Sequence, residues 1–437
     1  MSEFARRQFL GAATLLGAST AVPAVADAAP DGRSRRVRFG LNYTPSKNWW
    51  YCWSDWDARS IRADLADIRA LGMDHIRIMA LWPELQPNAT FVRPEMVDRV
   101  RELLDLAGER RLDVEVTVLN GAVSGFLFVP PWLINNGTGK VTNFFTDPDT
   151  LAATQRLFTA LGKGIGRHPR FLGFDLSNEI YWFAQPFGID VAPAVGDGWL
   201  RTMFADAEAA APGRLHVAGI DHFPWLNDDY FSRDALGTTG SVSANHTWAG
   251  WVDIFTTYGP MSTPSLHYSE YFIELIKAFH TDPHRQVWIE ETGISSVWMD
   301  PKLIPQWTEQ SIRNMVSCED LWGVTWWCSH EVNRGLTGFN QLEYDLGVYT
   351  NDRRLKPIGA TIADLIREYD HNPPKAIHRS SALVLPDGMV PSIPFFEPFM
   401  RLIDKGVRPA VVKASRSTDK AYLEARGIDK LIQLDEV

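Results

Sequence analysis

Phe171-Leu172-Gly173-Phe174-Asp175-Leu176-Ser177-Asn178-Glu179 is an apolar run that stops on a carboxylate. Its first part, Phe171–Leu176, reads as a strand that lies largely inside the fold. Just upstream, Leu151, Leu157, Leu161 and Ile165 recur near one face of a helix over Leu151–Gly166, and His168-Pro169 breaks it. This helix–strand unit repeats in both directions. The other strands read as Arg38–Tyr43, His75–Ala80, Asp113–Leu119, Leu215–Ile220, Ser241–Asn245, Gln286–Glu290 and Gly323–Trp327. Amphipathic runs such as Ile61–Leu71 and Glu95–Arg110 lie between them, with breakers at Gly72, Gly108, Pro212-Gly213 and Asp282-Pro283. Eight strands alternating with helices predict an α/β fold, a (β/α)8 TIM barrel. A doubly wound sheet is the alternative, and it would place a glycine-rich phosphate loop after the first strand. Here Tyr43-Thr44-Pro45-Ser46 leads into a tryptophan cluster instead.

The flanks divide the rest of the chain. Arg6-Arg7-Gln8-Phe9-Leu10, the apolar run Gly11 to Val25 and the small-x-small site Ala26-Asp27-Ala28 stand in the order of a twin-arginine signal peptide. Residues 1–29 are therefore expected to direct export to the periplasm or the exterior. The barrel spans 30–372 and closes with a helix over Ile358–Tyr369. After His371-Asn372-Pro373-Pro374, residues 373–437 read as a small α/β appendage. Its strands are Ala382–Leu385, Pro409–Lys413 and Lys430–Leu434, and its helices are Phe395–Lys405 and Asp419–Arg426. The 437 residues are 45% hydrophobic and 22% charged, enough for one large core with such an addition. A net charge of −10 argues against nucleic acid or an anionic membrane as partner. Past the N-terminus no stretch approaches the ~20 apolar residues of a membrane span.

Three cysteines are too few for a disulfide framework or a zinc site. Cys52 and Cys328 follow the first and last strands, neighbours in a closed barrel, and make the less strained pair if a bridge forms. The 17 tryptophans are more informative. Trp49, Trp50, Tyr51, Trp53 and Trp56 fill one loop-like stretch, too densely for all of them to face one core. Stacking on sugar rings is the favoured reading, with Trp50 and Trp53 as substrate contacts, and core packing is the alternative.

Reactive side chains of such barrels gather at the C-terminal ends of the strands. Glu179 ends the fourth strand, and Glu290-Glu291-Thr292-Gly293 ends the seventh. Arg77 lies in the second, His246 and Trp248 end the sixth, and Trp326-Trp327 ends the eighth. Cleaving a glycosidic bond needs two carboxyl groups, one to donate a proton and one to attack or to activate water. A single buried glutamate is explained by an arginine such as Arg77. Two at matching strand ends across one cleft favour catalysis. Glu290 competes with Glu291, and strand alternation sends the two to opposite faces.

These motifs resemble glycoside hydrolase family 5 from about Phe39 to Pro357. Asn178-Glu179 is similar to the family's Asn-Glu pair, and Glu291-Thr292-Gly293 to its Glu-x-Gly nucleophile motif. Arg77, His246 and one of Trp326 and Trp327 match its arginine, histidine and tryptophan positions. The resemblance implies Glu291 as nucleophile, Glu179 as acid/base, and retention of configuration at ~5 Å carboxyl separation. It implies further that Asn178 binds the sugar 2-hydroxyl and that a strand-eight tryptophan floors the reactive subsite. Two positions depart from the pattern. Asn120 stands where the family has a histidine, and Trp248 where it has a tyrosine, which leaves the sugar open. His330 and Glu331, just after the eighth strand, are candidates to compensate. Long aromatic loops at Trp49–Trp56, Phe126–Trp132, Tyr181–Phe187 and Trp248–Tyr258 point to a walled, exo-acting site on short β-linked glycans, with the β-mannosidase-like branch the nearest resemblance. An endo-acting mannanase or glucanase is the alternative, and a non-catalytic carbohydrate-binding barrel the more distant one. A carbohydrate is the expected partner; no metal or cofactor is implied.

Overall fold

Each barrel strand is largely buried on both faces because one side meets the interior and the other a helix. The computed structural model describes residues 36–437; the twin-arginine segment lies outside them. The strands are β1 (Arg38–Asn42), β2 (His75–Leu81), β3 (Asp113–Asn120), β4 (Phe171–Asn178), β5 (Val217–Gly219), β6 (Ser243–Thr247), β7 (Val287–Thr292) and β8 (Leu321–Trp327). All pairings are parallel, and β1 meets both β2 and β8. The short β5 joins β6 through Ser241 N–H to His216 O and His246 N–H to Ile220 O, both 2.8 Å, which brings the barrel round. The helices are α1 (Ala58–Ala70), α2 (Pro94–Glu109), α3 (Pro148–Ile165), α4 (Pro193–Ala210), α5 (Arg233–Thr238), α6 (Tyr268–Ala278), α7 (Ile304–Val316) and α8 (Pro357–His371). Side chains set their starts: Asp57 caps α1 by accepting from Arg59 and Ser60 N–H, and Asp147 caps α3 by accepting from Thr150 N–H.

The C-terminal residues form a three-stranded parallel sheet of β9 (Ser381–Leu385), β10 (Ala410–Lys413) and β11 (Lys430–Ile432), with β9 central. Helices α9 (Ile393–Asp404) and α10 (Lys420–Ala425) connect them. This sheet covers α6, so every residue of that helix is buried, Glu270, Glu274 and Lys277 included. Arg379 pairs with Glu270 at 2.7 Å and Glu274 at 3.1 Å, and Arg408 and Arg426 complete the neutralisation. The buried acids thus have buried or half-buried arginines opposite them, the condition for charges to survive inside.

Two expectations need correction. Cys52, Cys318 and Cys328 are all buried free thiols, so the suggested Cys52–Cys328 bridge is absent. The tryptophan cluster is core rather than platform: Trp49, Trp50 and Trp53 are buried and only Tyr51 is exposed. Trp53 donates to Met79 O at 2.8 Å and stacks on Trp56, while Trp50 meets Tyr43 edge-on. A 3-10 turn over Trp49–Trp53 lets a dense run face several neighbours at once, which a loop of uniform direction could not do.

Candidate active site

Arg77 organises the C-terminal end of the barrel. It is fully buried on β2, and its guanidinium reaches Asp175 on β4 at 2.7 Å and Glu290 on β7 at 3.1 Å. It also donates to Glu291 Oε1, to Asn178 Oδ1 at 2.9 Å and to Asn42 Oδ1 at 3.1 Å. Burial by itself would lower its pKa, but Glu290, Asp175 and Glu291 together raise it well above the ordinary value. A rigid planar fork is the cation suited to so many simultaneous partners. Gly219 on β5 makes room for it, because a Cβ there would lie 2.8 Å from Arg77 Nη2.

Both Glu290 and Glu291 face inward, contrary to simple alternation. The pairing of β7 slips by one residue between Ile289 and Glu291 against β6 and between Ile289 and Thr292 against β8, so Glu290 is the extra residue of a bulge against β6. A bulge of this kind re-aims a side chain. Glu290 goes to the floor, where it meets Arg77 and, at 3.3 Å, His246 Nε2. Glu115 lies beside it with no donor to either oxygen among the described residues. Burial, reinforced by Glu290 and Asp175, raises Glu115 well above the carboxylate range. Glu290 is lowered, burial being outweighed by Arg77 and His246.

Glu291 is 5% exposed by side chain and Glu179 is 18% exposed, so both open to the mouth. Trp248 Nε1 donates to Glu291 Oε2 at 3.1 Å. Gly293 lets that indole close in, since a Cβ there would come 2.8 Å from it. Glu179 takes a left-handed backbone conformation, φ 44°, rare for a residue with a side chain and common at functional sites. Its N–H donates to Gly219 O at 2.9 Å and its Oε1 bonds His246 Nδ1 at 2.7 Å. Burial, Asp221 and, more weakly, Glu291 push Glu179 up to about 7, against the pull of His246. With carboxylates at both ring nitrogens, His246 is raised well above its ordinary value, although burial alone would lower it.

Atoms of Glu179, His246 and Glu291 all lie within 4.8 Å of one another. Such a trio has the spacing of a cation site, but the Arg77 guanidinium already serves Glu291 as its positive partner. Asp64, Asp67 and His330 form a second close group, and Arg353 pairs with Asp67 there at 2.7 Å.

Three aromatic clusters tie together neighbouring loops that follow the barrel strands. Trp49, Phe126, Phe128 and Phe339 join the loops after β1, β3 and β8. Tyr181, Trp182 and Phe223 join those after β4 and β5, and Trp248, Trp251 and Trp298 those after β6 and β7. Trp182 and Trp251 are exposed.

No protein-family model and no curated protein matches the chain. Solved structures do. A GH5_18 protein of Streptomyces cattleya in complex with GlcNAc is 38% identical, with 92% of this chain and 100% of that one covered and a TM-score of 0.89. A glutamate-to-alanine variant of GH5_18 from that organism, in complex with Manβ1-4GlcNAc, gives 37% and 0.88, with 92% and 99% covered. The chain belongs to subfamily 18 of glycoside hydrolase family 5. A GH5_18 protein of Bifidobacterium longum subsp. infantis is 31% identical with TM-score 0.86 over 92% of this chain and 98% of that one.

In this glycoside hydrolase the residues read from sequence separate into two groups. Arg77, Asn178, Glu179, His246, Trp248, Glu291 and Trp327 come together. Asn178 donates to Ala122 O at 2.9 Å as well as accepting from Arg77. Asn120 is buried nearby on β3, and neither side-chain polar atom has a partner among the described residues. Trp326 does not join them: it packs against Trp307 of α7 on the outer face of β8, because alternation leaves only Trp327 inside. His330 is buried against Tyr349 and Ser329, and Glu331 pairs with Lys356 at 2.7 Å, so neither joins the carboxyl pair. Trp50 and Trp53 stay in the core as described. Sequence reading missed Asp221, which accepts from Trp182 Nε1 at 3.0 Å and lifts Glu179, and it missed Glu343 in the loop after β8. It also passed over Glu115 and Asp175, whose signal was available: an acid in the middle of an apolar strand.

Proposed function

We propose that this enzyme is a retaining, exo-acting β-mannosidase for short β-linked glycans, with Glu291 as nucleophile and Glu179 as acid/base. The carrying observation is the carboxyl pair, whose facing oxygens lie within 4.8 Å. Retaining enzymes hold the two groups ~5–5.5 Å apart and inverting ones ~6.5–9.5 Å. The environments also divide the labour. Arg77 and Trp248 both donate to Glu291 and hold its carboxylate in place for attack on the anomeric carbon. Glu179, pushed up to about 7, keeps its proton for the leaving oxygen and then takes one from the water that releases the sugar. Trp327 would floor the reactive subsite and Asn178 would meet the 2-hydroxyl. The Manβ1-4GlcNAc held by the Streptomyces cattleya relative supports mannose as the released sugar, and the aromatic walls support exo action.

The test is hydrolysis of aryl β-mannoside, β-glucoside and β-galactoside beside the Glu291→Ala variant, with the anomer of the first product followed by NMR. Turnover of the mannoside to the β-anomer, lost in the variant, is expected. An α-anomeric first product would overturn retention, and activity surviving in Glu291→Ala would move the nucleophile elsewhere. Export through the twin-arginine segment is proposed with it: replacing Arg6 and Arg7 by lysine should leave the protein in the cytoplasm, as cell fractionation would show.

A further inference from the structure

Glu343 is a third carboxylate at the mouth, and the double displacement has no use for it. It sits in the turn Gln341–Tyr344 and is 8% exposed. Ser124, reaching over from the loop after β3, donates from Oγ to Glu343 Oε2 at 2.9 Å, and the Trp327 side chain lies beside the same carboxyl. Trp327 stands edge-on to Trp248, ring centroids 6.5 Å apart, and Trp248 is the donor to Glu291. The two indoles therefore make one wall, with Glu291 at one end and Glu343 at the other. Glu290 and Glu291 share Arg77, whereas no cation of the described residues acts on Glu343. A buried acid facing another acid without a counter-charge is costly, and proteins keep such groups where a ligand completes them. Burial, with Glu291 adding to it, pushes this carboxyl up to about 7 against the pull of Ser124 and Trp327.

The geometry points to Glu343 as the residue that recognises the sugar resting on Trp327, accepting hydrogen bonds from its hydroxyls away from the scissile bond. This rests on the reading of Trp327 as the floor of the reactive subsite. A carboxylate offers about four lone-pair sites, of which Ser124 occupies one, leaving room for a pair of neighbouring hydroxyls. A sugar inside a longer chain carries a glycosidic bond at one of its hydroxyls, so the same contact selects chain ends.

The experiment uses the aryl glycoside that the wild-type enzyme hydrolyses best and its four single-deoxy forms, at C2, C3, C4 and C6. Glu343→Gln, Glu343→Ala and Ser124→Ala are compared with wild type, with a melting curve for each. On the parent, Glu343→Ala is expected to lose roughly 10- to 100-fold in kcat/KM, the loss of hydrogen bonds to a charged group. On the one or two deoxy forms that lack the recognised hydroxyl, the wild type has already lost that factor, and the variant adds less than about threefold. Ser124→Ala follows the same pattern more weakly. Loss by the same factor on all four deoxy forms, or parent activity within about twofold of wild type, would overturn the assignment. If Glu343→Ala does not fold, the isosteric Glu343→Gln carries the comparison. On these same substrates an α-anomeric product would count against retention, and turnover by Glu291→Ala against the nucleophile assignment, each without bearing on Glu343.

Discussion

Glu179 can give up a proton only while it holds one, and burial with Asp221 pushes its carboxyl up to about 7. As pH rises through that value the acid form is lost, so kcat/KM should fall on the alkaline side with an apparent pKa near 7. An aryl glycoside with a strongly acidic phenol needs no protonation on departure, and for it the limb should vanish from the glycosylation step. A limb unchanged between the two leaving groups would take the acid role away from Glu179. Trp248 offers a second measurement. Its single N–H holds Glu291 Oε2, and Trp248→Phe keeps an aromatic ring without the donor. Loss of a hydrogen bond to a charged oxygen is expected to lower kcat/KM roughly 10- to 100-fold with the melting temperature nearly unchanged. At this scale the carboxyl pair and Arg77 were legible because strand ends and motif spacing are local facts. Glu343 and Asp221 were not. They reach the site from loops, where no period says which side chain turns inward.

Among the elements, strand alternation told most and misled once. It separates Trp327 from Trp326, but only after the register of β8 is known, and the apolar sequence around both residues does not give the register. It fails at Glu290-Glu291, where a bulge turns two consecutive acids inward, and nothing in Val287–Thr292 announces the bulge. The Trp49–Trp56 stretch was misjudged because a 3-10 turn distributes side chains over directions that a loop reading does not anticipate. Helix α6 makes the clearest claim about energetics. Arg379 faces both Glu270 and Glu274, all three side chains 4% exposed or less. Arg379→Ala would strand two buried acids with the remaining arginines and should cost about 3–5 kcal/mol in denaturant unfolding. A cost below about 1 kcal/mol would mean that Arg408 and Arg426 suffice.

For the molecule as a whole, the eight-fold alternation of strand and helix was readable from end to end, because period, breakers and strand ends repeat. The seating of the C-terminal sheet on α6 was not, being contacts between residues more than a hundred positions apart. The thiols illustrate the difference. Cys52 and Cys328 follow neighbouring strands, yet both stay free and buried, with burial pushing their pKa values up. A reducing agent should therefore leave the melting temperature unchanged, and a drop of several degrees would reveal a bridge after all.

The loop that leaves β6 with Trp248 also carries Tyr258, which donates to Glu397 at 2.9 Å, and Thr263, which donates to Asp404 at 2.5 Å. Both acceptors belong to α9, so the segment that steadies the nucleophile is moored to the C-terminal sheet. A sugar that stiffens this loop must, by thermodynamic reciprocity, also stiffen its mooring. Amide deuterium uptake in α9 should therefore slow when the cleft is occupied, far from any atom that the sugar touches. Uptake that is indifferent to ligand would show that the mooring yields without disturbing the cleft.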